Sequence, residues 1–293
     1  MLEELARERR EAMRLRDEGL KLGMAAVLCI LVAAGACGER ARQQPSAESV
    51  IETIKRRGAL KVGMSTFVPW AMRDKNGELV GFEIDVAKKL AADMGVAAEF
   101  VPTAWDGIIP ALLAGKFDVI IGGLSITAQR NLTINFTVPY AHSGLGVAAN
   151  KELTAGMAWP EDYNNSAVTF VCRRGATACS AVEEQFPKAT ARKFDDDSQA
   201  AQEVLNGNAH AFVSSYPNPT LLVDRHGDKL FLPTTDDLTQ GNEAFGLRKG
   251  DPDALNFFSN WILVNTSNGW LKDRHSYWFK TASWAGQVDL GEH

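Results

Sequence analysis

The run Gly122-Gly123-Leu124-Ser125-Ile126-Thr127-Ala128-Gln129-Arg130 gathers the group types that hold a small carboxylate. Glycines let a ligand approach the backbone closely. Ser125 brings a hydroxyl among backbone N–H groups, and Arg130 brings a planar fork matched to a carboxylate. An arginine capping an ordinary surface loop is the alternative. The run follows Phe117–Ile121 (FDVII), whose nearly continuous apolar character reads as a strand buried on both faces. It therefore falls at the carboxyl end of a strand, where open α/β sheets bind ligands. Catalytic signals are absent by comparison. His142, His210, His226, His275 and His293 are scattered without a ligand pair at helical spacing, so no metal site is expected. Residues 123–127 lack the final glycine of a nucleophile elbow, and no phosphate-cradling glycine loop occurs. These residues suit binding better than turnover, and no cofactor is expected.

The elements that must position this run alternate in period. Ala59–Met64 and Ala97–Pro102 read as strands flanking a helix over Glu83–Met94, where Ile84, Ala87, Ala91 and Met94 share a face and Gly95 ends it. Trp105–Ala114 reads as a second helix and Phe117–Gly122 as a third strand. Strand, helix, strand, helix, strand within about 65 residues implies a parallel α/β sheet with right-handed crossovers. After Pro139 a similar pattern restarts, with strands over Val168–Cys172 and Ala209–Ser214 and helices over Ala178–Phe186 and Ser198–Leu205. Asp195, Asp196 and Asp197 read as a solvated turn and helix cap. Two further helices, Ala254–Val264 and Gly269–Phe279, carry Phe257, Trp261, Trp270 and Trp278 as packing residues.

Length and charge fit two domains. The chain has 293 residues and a formal net charge of −5, which disfavours nucleic acid or an anionic membrane surface as partner. Met24–Ala36 is uncharged and of secretory-signal length, too short to span a bilayer. Ala34-Gly35-Ala36 before Cys37 resembles a bacterial lipobox, with Cys37 the lipidated residue, although the usual leucine three places before the cysteine is missing. A short buried helix is the alternative for this stretch. Residues 1–23 mix six acidic with six basic side chains, unlike a signal's basic start, which suggests true initiation nearer Met24. No later segment reads as a membrane span.

Several ordered stretches then become recognisable: residues 58–63 (GALKVG), 76–85 (NGELVGFEID), 105–112 (WDGIIPAL), 115–121 (GKFDVII), the Gly122–Arg130 run, 135–140 (NFTVPY) and 248–252 (RKGDP). Together they resemble the polar amino-acid-binding family of bacterial extracellular solute-binding proteins, family 3, which serve ABC importers. The resemblance implies a type II periplasmic-binding-protein fold, two α/β lobes joined by two hinge strands that close on a ligand. The corresponding organisation is a signal over 1–36, a lipidated Cys37 and polar tether over 37–54, lobe 1 over 55–140 and 241–285, lobe 2 over 141–240, and a tail over 286–293. The implied partners are a small amino acid or related anion, an ABC permease and, through Cys37, a membrane; the protein is expected to be monomeric and periplasmic or cell-surface.

Position by position, the resemblance assigns Arg130 and the Ser125 amide to the ligand carboxylate, and Gly123 C=O and the Ser125 hydroxyl to its ammonium. Phe67 and Trp105 take the places of an aromatic pair that sandwiches the ligand side chain, with a purely structural role as the alternative. Thr177 adds a carboxylate contact at a helix N-terminus, and Arg173 stands at an often basic position near the side chain. One departure matters. The family's ammonium-binding aspartate is replaced by Ser215, which brings no charge. With Arg130 and Arg173 both present, the charge balance suits an anionic ligand. Cyclohexadienyl dehydratases share the fold, but Asn218 stands where their general acid would be and cannot donate an acidic proton. A ligand sensor without transport is a third reading. Cys172 and Cys179 flank the second-lobe loop; export makes a disulfide the expectation, with two packed thiols as the alternative.

Overall fold

The computed structural model describes residues 48–281 and 283–288, together with Met13. The signal-like segment, Cys37 and the tether up to residue 47 lie outside the described residues. Among the described residues no helix is long and apolar enough to cross a membrane.

Two sheets organise the chain. The first has the spatial order Ala97–Pro102, Ala59–Met64, Val119–Ile120, Gly246–Leu247, Asn135–Phe136. Its first three strands are parallel, and Gly246–Leu247 runs antiparallel to both of its neighbours. The helix between the first two parallel strands, Phe82–Asp93, buries Ile84, Ala87 and Ala91 as their spacing requires and stops where Gly95 turns left-handed at φ 69°. The apolar stretch at 117–122 is buried throughout, but only Val119 and Ile120 pair as a strand. Likewise the helix expected from Trp105 begins as a 3₁₀ turn, Trp105–Gly107, before Ile108–Leu113.

The second sheet has the order Leu230–Phe231, Ala141–Asn150, Ala211–Ser215, Thr169–Arg173, Thr190–Phe194. Ala141–Asn150 ties the two sheets together. Its first half pairs antiparallel with Gln240–Glu243, and from Leu145 to Ala149 it pairs with Ala211–Ser215. The chain thus leaves the first lobe on one strand and returns on its neighbour, side by side, which makes a two-strand hinge.

Each lobe has its own core. In the first, Leu60, Val62, Val119 and Ile121 meet Phe258, Trp261, Ile262 and Trp278 from the helices Pro252–Ser267 and Trp270–Lys280. Full burial of such side chains is worth roughly 1.5–3 kcal/mol each. The indoles also find polar partners, Trp261 Nε1 donating to Asp93 at 2.8 Å and Trp278 Nε1 to Asp85 at 2.7 Å. In the second lobe Phe170, Val171, Phe212 and Val213 pack under the helices Thr177–Gln185 and Asp197–Leu205.

Three expectations need correction. Residues 50–54, placed in the tether, open the helix Val50–Arg57, which Ser49 caps and which buries Ile54 in the first lobe. The supposed tail folds back as far as it is described, since Val288 is buried and bridges to Asp74. Of the three aspartates, Asp196 does cap its helix, accepting from Gln199 N–H at 2.8 Å, but Asp197 is buried rather than solvated.

Candidate ligand-binding site between the lobes

Arg130 sits on a single helical turn, Ala128–Asn131, whose cap Thr127 accepts from Arg130 N–H at 3.1 Å. Its guanidinium spans the lobes. Nη1 donates to Ser125 O at 2.8 Å in the first lobe, and Nη2 donates to Gly175 O at 3.0 Å in the second. Burial, with Arg173 nearby, pushes this guanidinium down to about 10, so it stays charged at neutral pH.

Ser125, Thr177 and Ser215 line one cavity of about 210 Å³ beside that bridge. Thr177 is the first residue of the helix Thr177–Gln185, where backbone N–H groups are unpaired and favour negative charge. Cys172 and Cys179 are joined as a disulfide across the loop that leads into this helix. The lining also includes Ser143, Glu184 and Gln240, which the sequence does not single out. Gly123 lies behind the cavity wall, its N–H donating to the Tyr140 hydroxyl at 3.2 Å. Its positive φ of 63° requires glycine, and a Cβ there would stand 3.0 Å from the Phe67 ring.

Neither Arg130 nor Arg173 is among the residues lining this cavity, nor are Phe67 and Trp105. The space between their rings holds the chain's own Arg173, whose guanidinium carbon lies 4.7 Å from the Phe67 centroid and 4.6 Å from that of Trp105. Arg173 is 5 % exposed, and its Nε stands 3.4 Å from Asp197 Oδ2. Asp197 is held in turn by the Ser214 hydroxyl at 2.9 Å. Burial lowers the Arg173 pKa while Asp197 and Asp196 oppose the shift. Arg173 is therefore ion-paired with Asp197, although its Nε and Nη1 make no hydrogen bond. The expectation of an anionic ligand counted Arg173 as a free charge, and its pairing with Asp197 lowers that count.

Two buried carboxylates complete the surroundings. Glu83 accepts from the Tyr140 hydroxyl at 2.6 Å and is pushed up to about 8 by burial, partly offset by that hydrogen bond. Glu243, on the returning hinge strand, is pushed up to about 7, also by burial, against the pull of the Ser143 hydroxyl. Among the described residues no group of side chains is suited to hold a metal ion.

Residues 60–281 match the family of bacterial extracellular solute-binding proteins, family 3. The chain belongs to that family. It is 27 % identical over 233 residues to the L-cystine-binding protein TcyJ of Escherichia coli K12, covering 79 % of this chain and 86 % of that one. Among solved structures, a binding component of an ABC transporter from Wolinella succinogenes complexed with lysine is 34 % identical, with TM-score 0.73 over 79 % of this chain and all of that one (100 %). An ancestral amino acid-binding protein, AncCDT-1, described as a precursor of cyclohexadienyl dehydratase, is 36 % identical, with TM-score 0.71 over 79 % and 99 % of the two chains. The match runs through both lobes and the hinge, so this family member shares the two-lobed architecture and extracytoplasmic setting of its relatives.

Proposed function

We propose that this chain captures an α-amino acid between its lobes and hands it to an ABC permease. The observation that carries the reading is the Arg130 guanidinium, charged and bonded to Ser125 O on one lobe and Gly175 O on the other, beside a hydroxyl-lined cavity. Arg130 takes the ligand carboxylate in its fork, and Thr177 adds a contact at the helix N-terminus. A ligand that touches both lobes stabilises the closed arrangement by its differential contacts. Lysine in the Wolinella relative and cystine for TcyJ support a ligand of the amino-acid class.

Phe67 and Trp105 serve as the clasp for Arg173 in this reading, and the ligand side chain points toward Glu184 and Gln240 instead. Ser215 contributes a neutral hydrogen bond. Attachment through a lipid on Cys37, after cleavage behind residues 24–36, belongs to the same reading and is tested by fatty-acid labelling of wild type against Cys37→Ser. Isothermal titration with the twenty L-amino acids and L-cystine tests the binding step. Saturable binding of at least one supports the reading, and binding of none rejects it.

Dehydratase chemistry is the weaker reading. Asn218 has no acidic proton, and its amide is turned to Ser214 Oγ at 3.4 Å.

A further inference from the structure

Glu243 has no part in the reading above, yet it is almost fully buried beside the cavity, at 1 % exposure. Its Oε1 accepts from Ser143 Oγ at 2.7 Å and, over a longer 3.4 Å, from Ser125 Oγ. Its Oε2 has no hydrogen-bond partner. Backbone contacts lock Ser125 against it. The two residues form an antiparallel bridge, Ile126 N–H donates to Asn242 O at 2.9 Å, and Ala244 N–H donates to Leu124 O at 3.1 Å. Ser125, Ser143 and Gly241 all line the cavity, and a Cβ at Gly241 would come within 2.9 Å of Glu243 Oε1.

A hydroxyl that gives its one proton to a carboxylate keeps only lone pairs for anything else. With Glu243 ionised, Ser143 is in that condition at 2.7 Å, and Ser125, at 3.4 Å, more weakly so. The wall they present then accepts hydrogen bonds and donates none, which suits an ammonium and repels a hydroxyl-poor anion. Ser125 also gives its carbonyl to Arg130. One residue thus stands between a guanidinium and a carboxylate, the same separation of charge that a zwitterion carries.

We propose that Glu243 is a positioning residue that holds the Ser125 and Ser143 hydroxyls as paired acceptors and so makes the cavity select ligands bearing an α-ammonium. The proposal rests on the reading that an amino acid occupies the cavity. The charged and titratable groups around Glu243 are Glu83 and Tyr140 behind the Gly123 loop, His142 on the paired strand and Arg130 beyond Ser125. An ammonium bound at the two hydroxyls favours the ionised carboxyl, so affinity rises as pH climbs through about 7.

The test titrates wild type, Glu243→Gln and Ser143→Ala with the twenty L-amino acids and L-cystine, and with the α-hydroxy acid corresponding to each ligand that binds. In Glu243→Gln the best L-amino acid should lose about tenfold or more in affinity, the scale of one charge-assisted hydrogen bond. The matching α-hydroxy acid should change by less than about twofold, and the gain of wild type between pH 6 and pH 8 should vanish. Equal losses for both ligand types, or no loss, would overturn the proposal while leaving the amino-acid reading intact. If no amino acid binds wild type, that reading fails and the proposal with it. If Glu243→Gln does not fold, Ser143→Ala decides: a loss confined to the amino acid supports the proposal, and an equal loss for both rejects it.

Discussion

Glu83 and Tyr140 form a buried pair behind the Gly123 loop, and their environment sets a measurable pH response. The Glu83 carboxyl is raised from 4.5 to about 8, chiefly by burial. The folded chain therefore keeps a proton that the unfolded chain releases near pH 4.5. Its contribution favours the native state fully below that pH and is lost as pH rises through about 8. Glu83→Gln removes this response. Urea unfolding at pH 5 and pH 8 should show a flatter dependence for the variant, which gains on wild type at the higher pH. Parallel curves for the two proteins would show that Glu83 ionises as it does in an unfolded chain. At this scale the sequence points to Ser125 and Arg130 because they lie in one ordered motif, and to Thr177 and Ser215 through the family resemblance of the second lobe. It hides Asp197 inside a run of three aspartates, since only the parallel pairing of distant strands brings its helix to the end of Thr169–Arg173. Glu243 stands out in the sequence only as an acid near the hinge return, a poor substitute for a dehydratase's general acid, because its burial comes from the pairing of two hinge strands 100 residues apart.

Periodicity reveals elements where packing and local pattern agree. Ala59–Met64 and Ala97–Pro102 keep their expected bounds, and the helix after Gly81 keeps its apolar face. The hinge strand Ala141–Asn150 escapes notice because alanine, glycine and serine carry no strand pattern. Pairing on both sides imposes it. Small residues are needed there, since a Cβ at Gly144 would lie 2.1 Å from the Asp237 carboxylate and one at Gly146 2.8 Å from the Tyr216 ring. The short helix Asn218–Arg225 and the polar edge strand Thr190–Phe194 are missed for similar reasons, their order coming from neighbours rather than from composition. The disulfide acts at this scale too. It closes a loop of eight residues between a strand end and the helix that carries Thr177. Cys172→Ser with Cys179→Ser should lower stability by about 2–3 kcal/mol, as chain entropy predicts for a short loop. Urea midpoints for wild type with and without reductant, and for the double variant, measure it. Identical midpoints in all three would contradict that estimate.

The whole molecule works through contact between two lobes that each have their own core. Contacts that cross the gap include Arg130 to Gly175 O, Arg173 between Phe67 and Trp105, the approach of Gly175 to Asp106, and the packing of Ala176 and Leu221 against first-lobe clusters. Gly175 has φ 76°, and a Cβ there would meet Asp106 Cα at 3.1 Å. Gly175→Ala should therefore strain the turn by about 1 kcal/mol and hold the lobes apart. Small-angle scattering should give a larger radius of gyration than wild type, and amino-acid affinity should fall. An unchanged radius with unchanged affinity would mean that closure does not need this contact. Decisive is the role of Arg130, which donates to Ser125 O on one lobe and to Gly175 O on the other, beside the cavity. It is tested most directly by calorimetric titration of wild type and Arg130→Ala with the L-amino acid that wild type binds best. Removing one partner of a buried charge pair should cost roughly 2–5 kcal/mol of binding. Equal affinity in the two proteins would contradict the account and move the carboxylate site elsewhere.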